Sequence, residues 1–422
     1  MTRIRSIIGG SAGNLVEWFD WYIYTAFSLY FAKTFFPDSD QTAQFLATSG
    51  IFWIGFLMRP IGGWLIGRIG DRRGRRTALA WSVTLMGGGS LLVALTPGYA
   101  SIGIAAPLLL VAARMIQGLS LGGEYGAAAT YLTEVAHPDH RGFWSSFQYV
   151  TLYGGQLLAL GLLLAMQSAG LDEAALSAWG WRVAFVAGAA LSLIVFWIRR
   201  GIAESPEFVG ESKTERRTGG VAELWREHRK PVLIAFALAM GSNVAFYTYT
   251  TYMLKYLVGT SGFTKPMAST ICAAAIFLAL FMQPPIAALS DRIGRKPLQY
   301  AFGIAGVLLT VPLMTAIGAT RDPMTAFLLV VGGLTIMSCA TATNAVVKAE
   351  LFPVHVRALG VGLPYAVSQS LFGGSAETLA LSFKHAGHES GYFWYVSAMI
   401  AIALVAAIIM PETSPRKTAR AR

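Results

Sequence analysis

Long apolar runs, broken at short intervals by clusters of arginine, glycine and proline, organise this 422-residue chain. A helix needs about 20 mainly apolar residues to cross a hydrocarbon core of about 30 Å. Runs that meet this need fall at roughly 9–35, 43–69, 77–96, 103–136, 142–169, 180–199, 231–258, 265–290, 297–317, 322–352, 358–385 and 390–410. The pattern predicts an all-α membrane protein with twelve transmembrane helices. The fourth and tenth runs are overlong for one crossing, so they should tilt or project beyond the bilayer. The longest polar stretch falls near the middle and holds Glu204, Glu207, Glu211, Lys213, Glu215, Arg216, Arg217 and Arg229. It is expected to be a cytoplasmic linker, 201–230, between an N-terminal six-helix bundle, 1–200, and a C-terminal one, 231–412, with 413–422 as a tail. Part of it, around Val221 to His228, has the composition of a helix lying on the membrane surface.

The two halves repeat one another. The loop after the second run reads Gly67-Arg-Ile-Gly-Asp71-Arg72-Arg-Gly74-Arg75-Arg76, and the loop after the eighth reads Ala287-Ala-Leu-Ser-Asp291-Arg292-Ile-Gly294-Arg295-Lys296. Glu134-Val-Ala-His-Pro-Asp-His-Arg141 is echoed by Glu350-Leu-Phe-Pro-Val-His-Val-Arg357 at nearly the same offset, close to half the chain. Two matches at one offset imply duplication and two pseudo-symmetric bundles. Internal repeats of this kind build alternating-access carriers, with a site near mid-membrane between the halves. Basic loops also serve as plain topology signals, but that reading leaves the fixed Asp-Arg-x-Gly-basic-basic order unexplained. A capping aspartate beside a glycine turn can form a polar latch. Asp71, Arg75, Asp291 and Arg295 are the expected gating residues.

Composition sharpens this picture. The chain is 55% hydrophobic and 13% charged, against about a quarter charged in soluble domains, and its mean hydropathy is +0.53. The net charge of +11 raises nucleic acid as a partner. The cations, however, sit in short loops between apolar runs, not along a basic groove with aromatics, so no nucleic acid is expected. Their bias to one side predicts that both termini and the linker are cytoplasmic. Cys272 and Cys339 lie in apolar runs and read as packing residues. No metal-ligand spacing, phosphate loop, His-Glu-x-x-His or Gly-x-Ser-x-Gly motif occurs. Neither an enzyme nor a nucleotide-driven pump is expected, and no cofactor or metal. The first apolar run, with Glu17 and Asp20 inside it, is too long and polar for a cleaved signal.

Ionised side chains at mid-bilayer cost about 2.5–3.5 kcal/mol on insertion scales, so those that persist should face a wet cavity or one another. The first helix places Glu17, Asp20 and Tyr24 on one face, and the second carries Arg59. The fourth carries Arg114, Gln117 and, close to that stripe, Glu124. The fifth presents Tyr149, Tyr153 and Gln156, and the seventh Asn243, Tyr247 and Thr250, with Lys255 nearer the outer end. The tenth presents Thr341, Asn344 and Lys348, and the eleventh Tyr365 and Gln369. Structural acid–base pairing is an open alternative for Arg59, Glu124, Arg114, Asp20 and Lys348, as is plain helix packing for Tyr247 and Tyr365. The excess of cations favours an anionic ligand: arginine engages a carboxylate through two parallel hydrogen bonds, and lysine adds a compact charge. A carrier of quaternary amines would use an aromatic cage instead.

Several of these stretches resemble a known family. Gly67 to Arg76 matches the signature of the major facilitator superfamily. Gly13-Asn14-Leu-Val-Glu17-Trp-Phe-Asp20, Gly55-Phe-Leu-Met-Arg59-Pro60-Ile-Gly-Gly and Arg114-Met-Ile-Gln117-Gly118-Leu-Ser-Leu-Gly122-Gly-Glu124 resemble its metabolite:proton symporter family. Gly123 to Gly126, Phe147 to Leu152, Phe246 to Tyr252, Lys348 to Pro353 and Phe372 to Glu377 are most similar to the members that carry α-ketoglutarate. The resemblance implies a monomeric secondary transporter in a bacterial inner membrane that takes up a small dicarboxylate with protons. Asp20, Glu17, Arg114 and Glu124 would couple the proton, with an ionised Asp20 holding Arg114 and a protonated one releasing it. Arg59 and Lys348 would clamp the substrate's two ends. Siblings of this family carry citrate, shikimate, proline or betaine on the same framework, so another organic acid or a zwitterion is the alternative cargo. A transporter-like sensor is an alternative from a different class, though linker and tail are short for a docking domain. Ala287 departs from the family loop where the first loop has Gly67, which would weaken the second latch. The glycine–proline motif of antiporters is not found in the fifth run, in keeping with symport.

Overall fold

The computed structural model describes residues 2–37, 39–73, 75–122, 129, 133, 136–200 and 220–414. No described residue lies in a strand. Helix α1 is Thr2–Phe35. Helix α2 begins as Gln41–Leu57, turns at Met58 and resumes as Arg59–Arg73, because Pro60 has no N–H to continue the ladder. Helix α3 is Arg75–Leu95, and α4 is described over Ala105–Leu121. Helix α5 is a short turn, Arg141–Ser145, followed by Phe147–Ser168, and α6 is Trp181–Arg200. In the C-terminal half, α7 is Arg229–Tyr247 followed by a π turn, Thr248–Tyr252, and then Met253–Gly259. Helices α8 and α9 are Lys265–Ile293 and Lys296–Ala319. Helix α10 is Pro323–Thr341 and then Asn344–Glu350. Helix α11 is Val354–Ser368, a π turn at Gln369–Gly373, and Ala376–His385. Helix α12 is Glu389–Ile409. In the linker a short helix forms at Val221–Glu227; residues 201–219 and the tail beyond 414 lie outside the described residues.

Among the described residues, eight helical stretches are long and apolar enough to cross a bilayer by length and composition. The remaining four expected spans fall short for particular reasons. α1 is long, but Asn14, Glu17 and Asp20 dilute its apolar character. The described apolar parts of α3 and α4 are Ala80–Leu95 and Ala105–Leu121. α11 is interrupted at Gly374 and Ser375, between Gln369–Gly373 and Ala376–His385.

Polarity is inverted relative to a water-soluble bundle. Leu108, Phe277, Phe281, Leu308 and Ile408 face outward, whereas Asp20, Arg114, Gln117 and Lys348 are buried. Lipid is as apolar as leucine, so helices associate through close packing and internal polar contacts. The α2–α4 contact shows how. A Cβ added at Gly118 would overlap the Gly55 carbonyl, one at Gly122 the Arg59 carbonyl, and one at Gly62 the Leu119 backbone. Glycine at these positions lets the two backbones touch, which brings Arg59 and Arg114 near the same aromatic side chains.

The described chain forms two compact units, one of residues 1–125 with 158–218 and the other of residues 126–157 with 219–422. Each carries its own polar interior.

Candidate functional site: two buried polar clusters

In the first unit, α1, α3 and α4 build a hydrogen-bonded chain. The Asp20 carboxylate accepts from the Ser90 hydroxyl through Oδ1 and from Gln117 Nε2 through Oδ2 at 2.8 Å. Gln117 Nε2 also donates to Ser90 Oγ at 2.9 Å, and its Oε1 accepts from Arg114 Nη1 at 2.7 Å. All four side chains are completely buried. Asp20 and Arg114 are therefore joined through an intervening amide, where the sequence suggested direct contact. Gly188 of α6 makes room for the acid, since a Cβ there would meet Asp20 Oδ1.

Aromatic walls hold the cations. The Arg114 guanidinium carbon lies 3.9 Å from the Trp21 ring centre, 4.5 Å from Tyr24 and 5.1 Å from Phe52. That of Arg59 lies 4.5 Å from Trp21, 4.0 Å from Phe56 and 5.3 Å from Trp18. Trp21 is thus in range of both guanidiniums. Such contacts contribute about 2 kcal/mol or more when desolvated, and they keep a charge in place without consuming its hydrogen-bond donors. Arg114 Nε and Nη2 have no hydrogen-bond partner among the described residues. Those two N–H groups lie on one edge of the guanidinium and form the pair that grips a carboxylate side-on. Glu17 is buried on the same helix as Asp20. Glu124, expected beside this cluster, lies outside the described residues, as do the side chains of Asp71 and Arg75.

In the second unit the cluster is built of amides and phenols around one lysine. Gln369 Nε2 donates to Tyr247 OH at 3.1 Å and to Tyr365 OH at 2.9 Å. Asn344 Nδ2 donates to Tyr149 OH at 2.5 Å. Each of these phenols accepts from an amide, which turns its own O–H into a donor for another group. Lys348 Nζ lies 4.6 Å from the Tyr365 ring centre. Phe246 packs between the tyrosines, its ring centre 5.9 Å from Tyr149, 5.7 Å from Tyr153 and 5.2 Å from Tyr247. Asn243 reaches Ser368 at 3.4 Å, and Gln156 is buried with Oε1 lacking a partner among the described residues. Thr250, expected on the Asn243–Tyr247 stripe, falls inside the π turn and bonds the Phe246 carbonyl at 2.6 Å.

At one end of this unit an ionic network ties three elements together. Asp291, at the end of α8, accepts from the amides of Gly142 and Phe143 at 2.9 and 3.0 Å, capping the start of α5. An anion is favoured there by the unbonded amides and the helix dipole. Glycine is required at 142, because a Cβ would come within 2.8 Å of the Ala287 carbonyl and of Asp291 Oδ1. Arg295 donates to Asp291 at 2.7 Å and, through Nε and Nη2, to Glu350 at 3.2 Å each. Burial opposes the Arg295 charge, but Glu350 and Asp291 outweigh it and raise its pKa. Glu412 accepts from the amides of Arg295 and Lys296 at 2.9 and 3.2 Å, and Thr413 bonds Glu350 at 2.8 Å.

Several participants escape a sequence reading. Ser90 sits in the apolar stretch Ala80–Leu95 of α3. Trp18 and Trp21 show their part only through the guanidiniums packed on them. Glu377, which forms a buried ion pair with Lys255, is one more acid in a polar break. Only Glu350 had a usable signal, its match to Glu134 in the repeat.

Helices with apolar exteriors and buried ionic clusters define an integral membrane carrier. The chain belongs to the major facilitator superfamily, whose family description matches residues 11–376 and 265–421. It is 48% identical over 408 residues to the alpha-ketoglutarate permease of Escherichia coli K12, spanning 97% of this chain and 94% of that protein. The citrate-proton symporter of Salmonella typhi is 30% identical, over 96% and 93% of the two chains. The proline/betaine transporter of Salmonella typhimurium is also 30% identical, over 98% and 84%. Among solved structures, the fold matches a D-xylose-proton symporter with a TM-score of 0.80 at 19% identity, covering 98% of this chain and 99% of that one. The twelve-helix major facilitator fold is thereby shown.

Proposed function

We propose that this chain is a proton-coupled symporter that takes up a small dicarboxylate, α-ketoglutarate foremost, across a bacterial inner membrane by alternating access. The observation that carries this reading is the bidentate Nε/Nη2 edge of Arg114, held among aromatic rings and linked through Gln117 to a buried carboxylate. The 48% identity to an alpha-ketoglutarate permease supports the choice of substrate. The aromatic walls near Arg59 and Arg114 are occupied by these guanidiniums, which argues against a quaternary amine as cargo.

The proton acts through hydrogen-bond polarity. Both Asp20 oxygens accept hydrogen bonds, an arrangement that suits the ionised carboxylate. When Asp20 takes a proton, its hydroxyl faces the Gln117 NH2 as donor against donor. Rotation of that amide lets Oε1 accept from Asp20 and turns Nε2 toward Arg114 Nη1. Arg114 is then repelled from Gln117, and its whole guanidinium serves the substrate. Deprotonation on the cytoplasmic side reverses the sequence. Glu17 and Glu124 are assigned supporting roles in proton coupling. Arg59, Arg114, Gln117, Tyr149, Tyr153, Gln156, Asn243, Tyr247, Asn344, Lys348, Tyr365 and Gln369 are assigned to the substrate, with Arg59 and Lys348 for its carboxylates. A dianion entering a negative-inside cell works against about 2.3 kcal/mol per charge per 100 mV. Two protons make the transfer neutral, and three let the potential drive it.

The organisation proposed is a six-helix bundle over 1–200, a cytoplasmic linker over 201–230, a second bundle over 231–412 and a cytoplasmic tail. The protein acts as a monomer with both termini in the cytoplasm. Asp71, Arg75, Asp291 and Arg295 are assigned to a latch that opens and closes with the transport cycle. Labelled α-ketoglutarate uptake into proteoliposomes tests the reading. Uptake should respond to an imposed pH gradient and be competed by dicarboxylates ahead of citrate, shikimate, proline and betaine. Uptake indifferent to both pH gradient and potential would remove the coupling scheme. Asp20→Asn should abolish gradient-driven accumulation yet keep exchange of internal for external substrate; full uphill accumulation would place the proton elsewhere.

A further inference from the structure

Lys255 and Glu377 form an ion pair in the second unit, with both side chains about 97% buried or more. The mechanism above does not use them. Neither lies among the phenols and amides of the site. Each instead stands just beyond a π turn: Lys255 follows Thr248–Tyr252 in α7, and Glu377 follows Gln369–Gly373 in α11.

The first π turn packs against Ala376–His385 and the second against Arg229–Tyr247, and both adjoin site residues. Tyr247 is the residue immediately before the first, and Gln369 opens the second. Gln369 donates to Tyr247 OH at 3.1 Å. A Cβ on Gly373 would come 2.9 Å from the Tyr247 ring, so the second turn packs directly on that tyrosine. A π turn holds one residue more than the α-helix around it and is held only where its surroundings select it. Relaxing either turn to α-helical register would rotate everything beyond it by about 100°. Lys255 and Glu377 would then no longer meet, and breaking a buried ion pair at membrane depth is strongly disfavoured. The ion pair therefore discriminates against the ordinary helical register in both helices at once.

We infer that Lys255 and Glu377 are positioning residues for transport: their ion pair holds the π turns of α7 and α11 in register, and so fixes Tyr247 and Gln369 for the substrate. This rests on the carboxylate-carrier reading for the identity of the substrate used as probe. A misplacement of about 1 Å in a positioning group can cost on the order of 100-fold. A displaced pair of hydrogen-bonding groups should then raise KM by about tenfold or more.

The test is exchange of labelled α-ketoglutarate in proteoliposomes without any imposed gradient, with rates expressed per folded carrier. Wild-type exchange first establishes the substrate, so failure of the carrier reading shows itself there. Glu377→Gln and Lys255→Gln should each raise KM about tenfold or more with a smaller change in maximal rate. The exchanged pair Lys255→Glu/Glu377→Lys should return KM to within about threefold of wild type. Where a single variant does not fold, the doubly neutral Lys255→Met/Glu377→Gln variant decides, and a raised KM is again expected. An unchanged KM in these variants would overturn the inference and leave the pair a purely structural contact. Loss of gradient-driven accumulation with normal exchange KM would also overturn it, because Glu377 would then carry a proton.

Discussion

In the first unit a carboxylate, a hydroxyl, an amide and a guanidinium form one chain from Asp20 to Arg114, with no break in the hydrogen bonding. In the second unit Lys348 lies over Tyr365 in a cluster of amides and phenols, while Lys255 meets Glu377 beyond the π turns. The first arrangement can convert a proton into a change in a cation's availability. The second offers donors oriented by amides and phenols. The proposed division of labour puts proton chemistry in the first unit and recognition by neutral donors and Lys348 in the second.

The largest effect that would test this contrast is at Arg114. Arg114→Lys keeps the charge but loses the planar two-donor edge and the stacking against Trp21. Hydrogen bonds to charged groups contribute about 1.5–3 kcal/mol each, so the KM for α-ketoglutarate should rise by roughly 100-fold at matched amounts of folded carrier. A lysine variant with near-normal KM would show that Arg114 acts as a point charge only. Next is Gln117→Leu, which removes the amide between acid and base. Gradient-driven accumulation should fall about tenfold while gradient-free exchange falls far less. Equal loss of both would mean that Gln117 binds substrate and relays nothing. Lys348→Gln should raise KM about tenfold and leave the proton dependence of uptake unchanged. A shifted proton dependence would break the division of labour between the halves.

The sequence made some of this arrangement legible and concealed the rest. The Arg114–Gln117 spacing places two long polar side chains on one helical face, and Glu17, Asp20 and Tyr24 do the same on α1. Neither stripe shows that Gln117 reaches across to Asp20, because that contact depends on how the two helices pack. Ser90 was invisible for the same reason, as a serine in an apolar helix that matters only through its neighbours. The break at Met58 follows from Pro60. The π turns follow from no residue type, since an extra residue per turn is selected by packing, and Thr250 lies within one of them. Asp291 was legible through the duplicated loop, yet its partners, the amides of Gly142 and Phe143, are main-chain groups that no motif announces.

The smallest expected effect concerns Tyr149. Its oxygen accepts from Asn344 Nδ2, so the phenol proton is directed elsewhere and can be given to an oxygen of the substrate. Tyr149→Phe removes that donor and also deprives Asn344 of its acceptor, while the ring keeps its packing against Phe246. A neutral hydrogen bond contributes about 0.5–1.5 kcal/mol, which corresponds to a KM increase of roughly two- to tenfold. The consequence should be confined to binding: maximal exchange rate and proton-driven accumulation at saturating substrate should stay near wild type. If Tyr149→Phe instead uncouples accumulation from the pH gradient, the second unit takes part in proton chemistry, and the contrast between a coupling half and a recognition half does not hold.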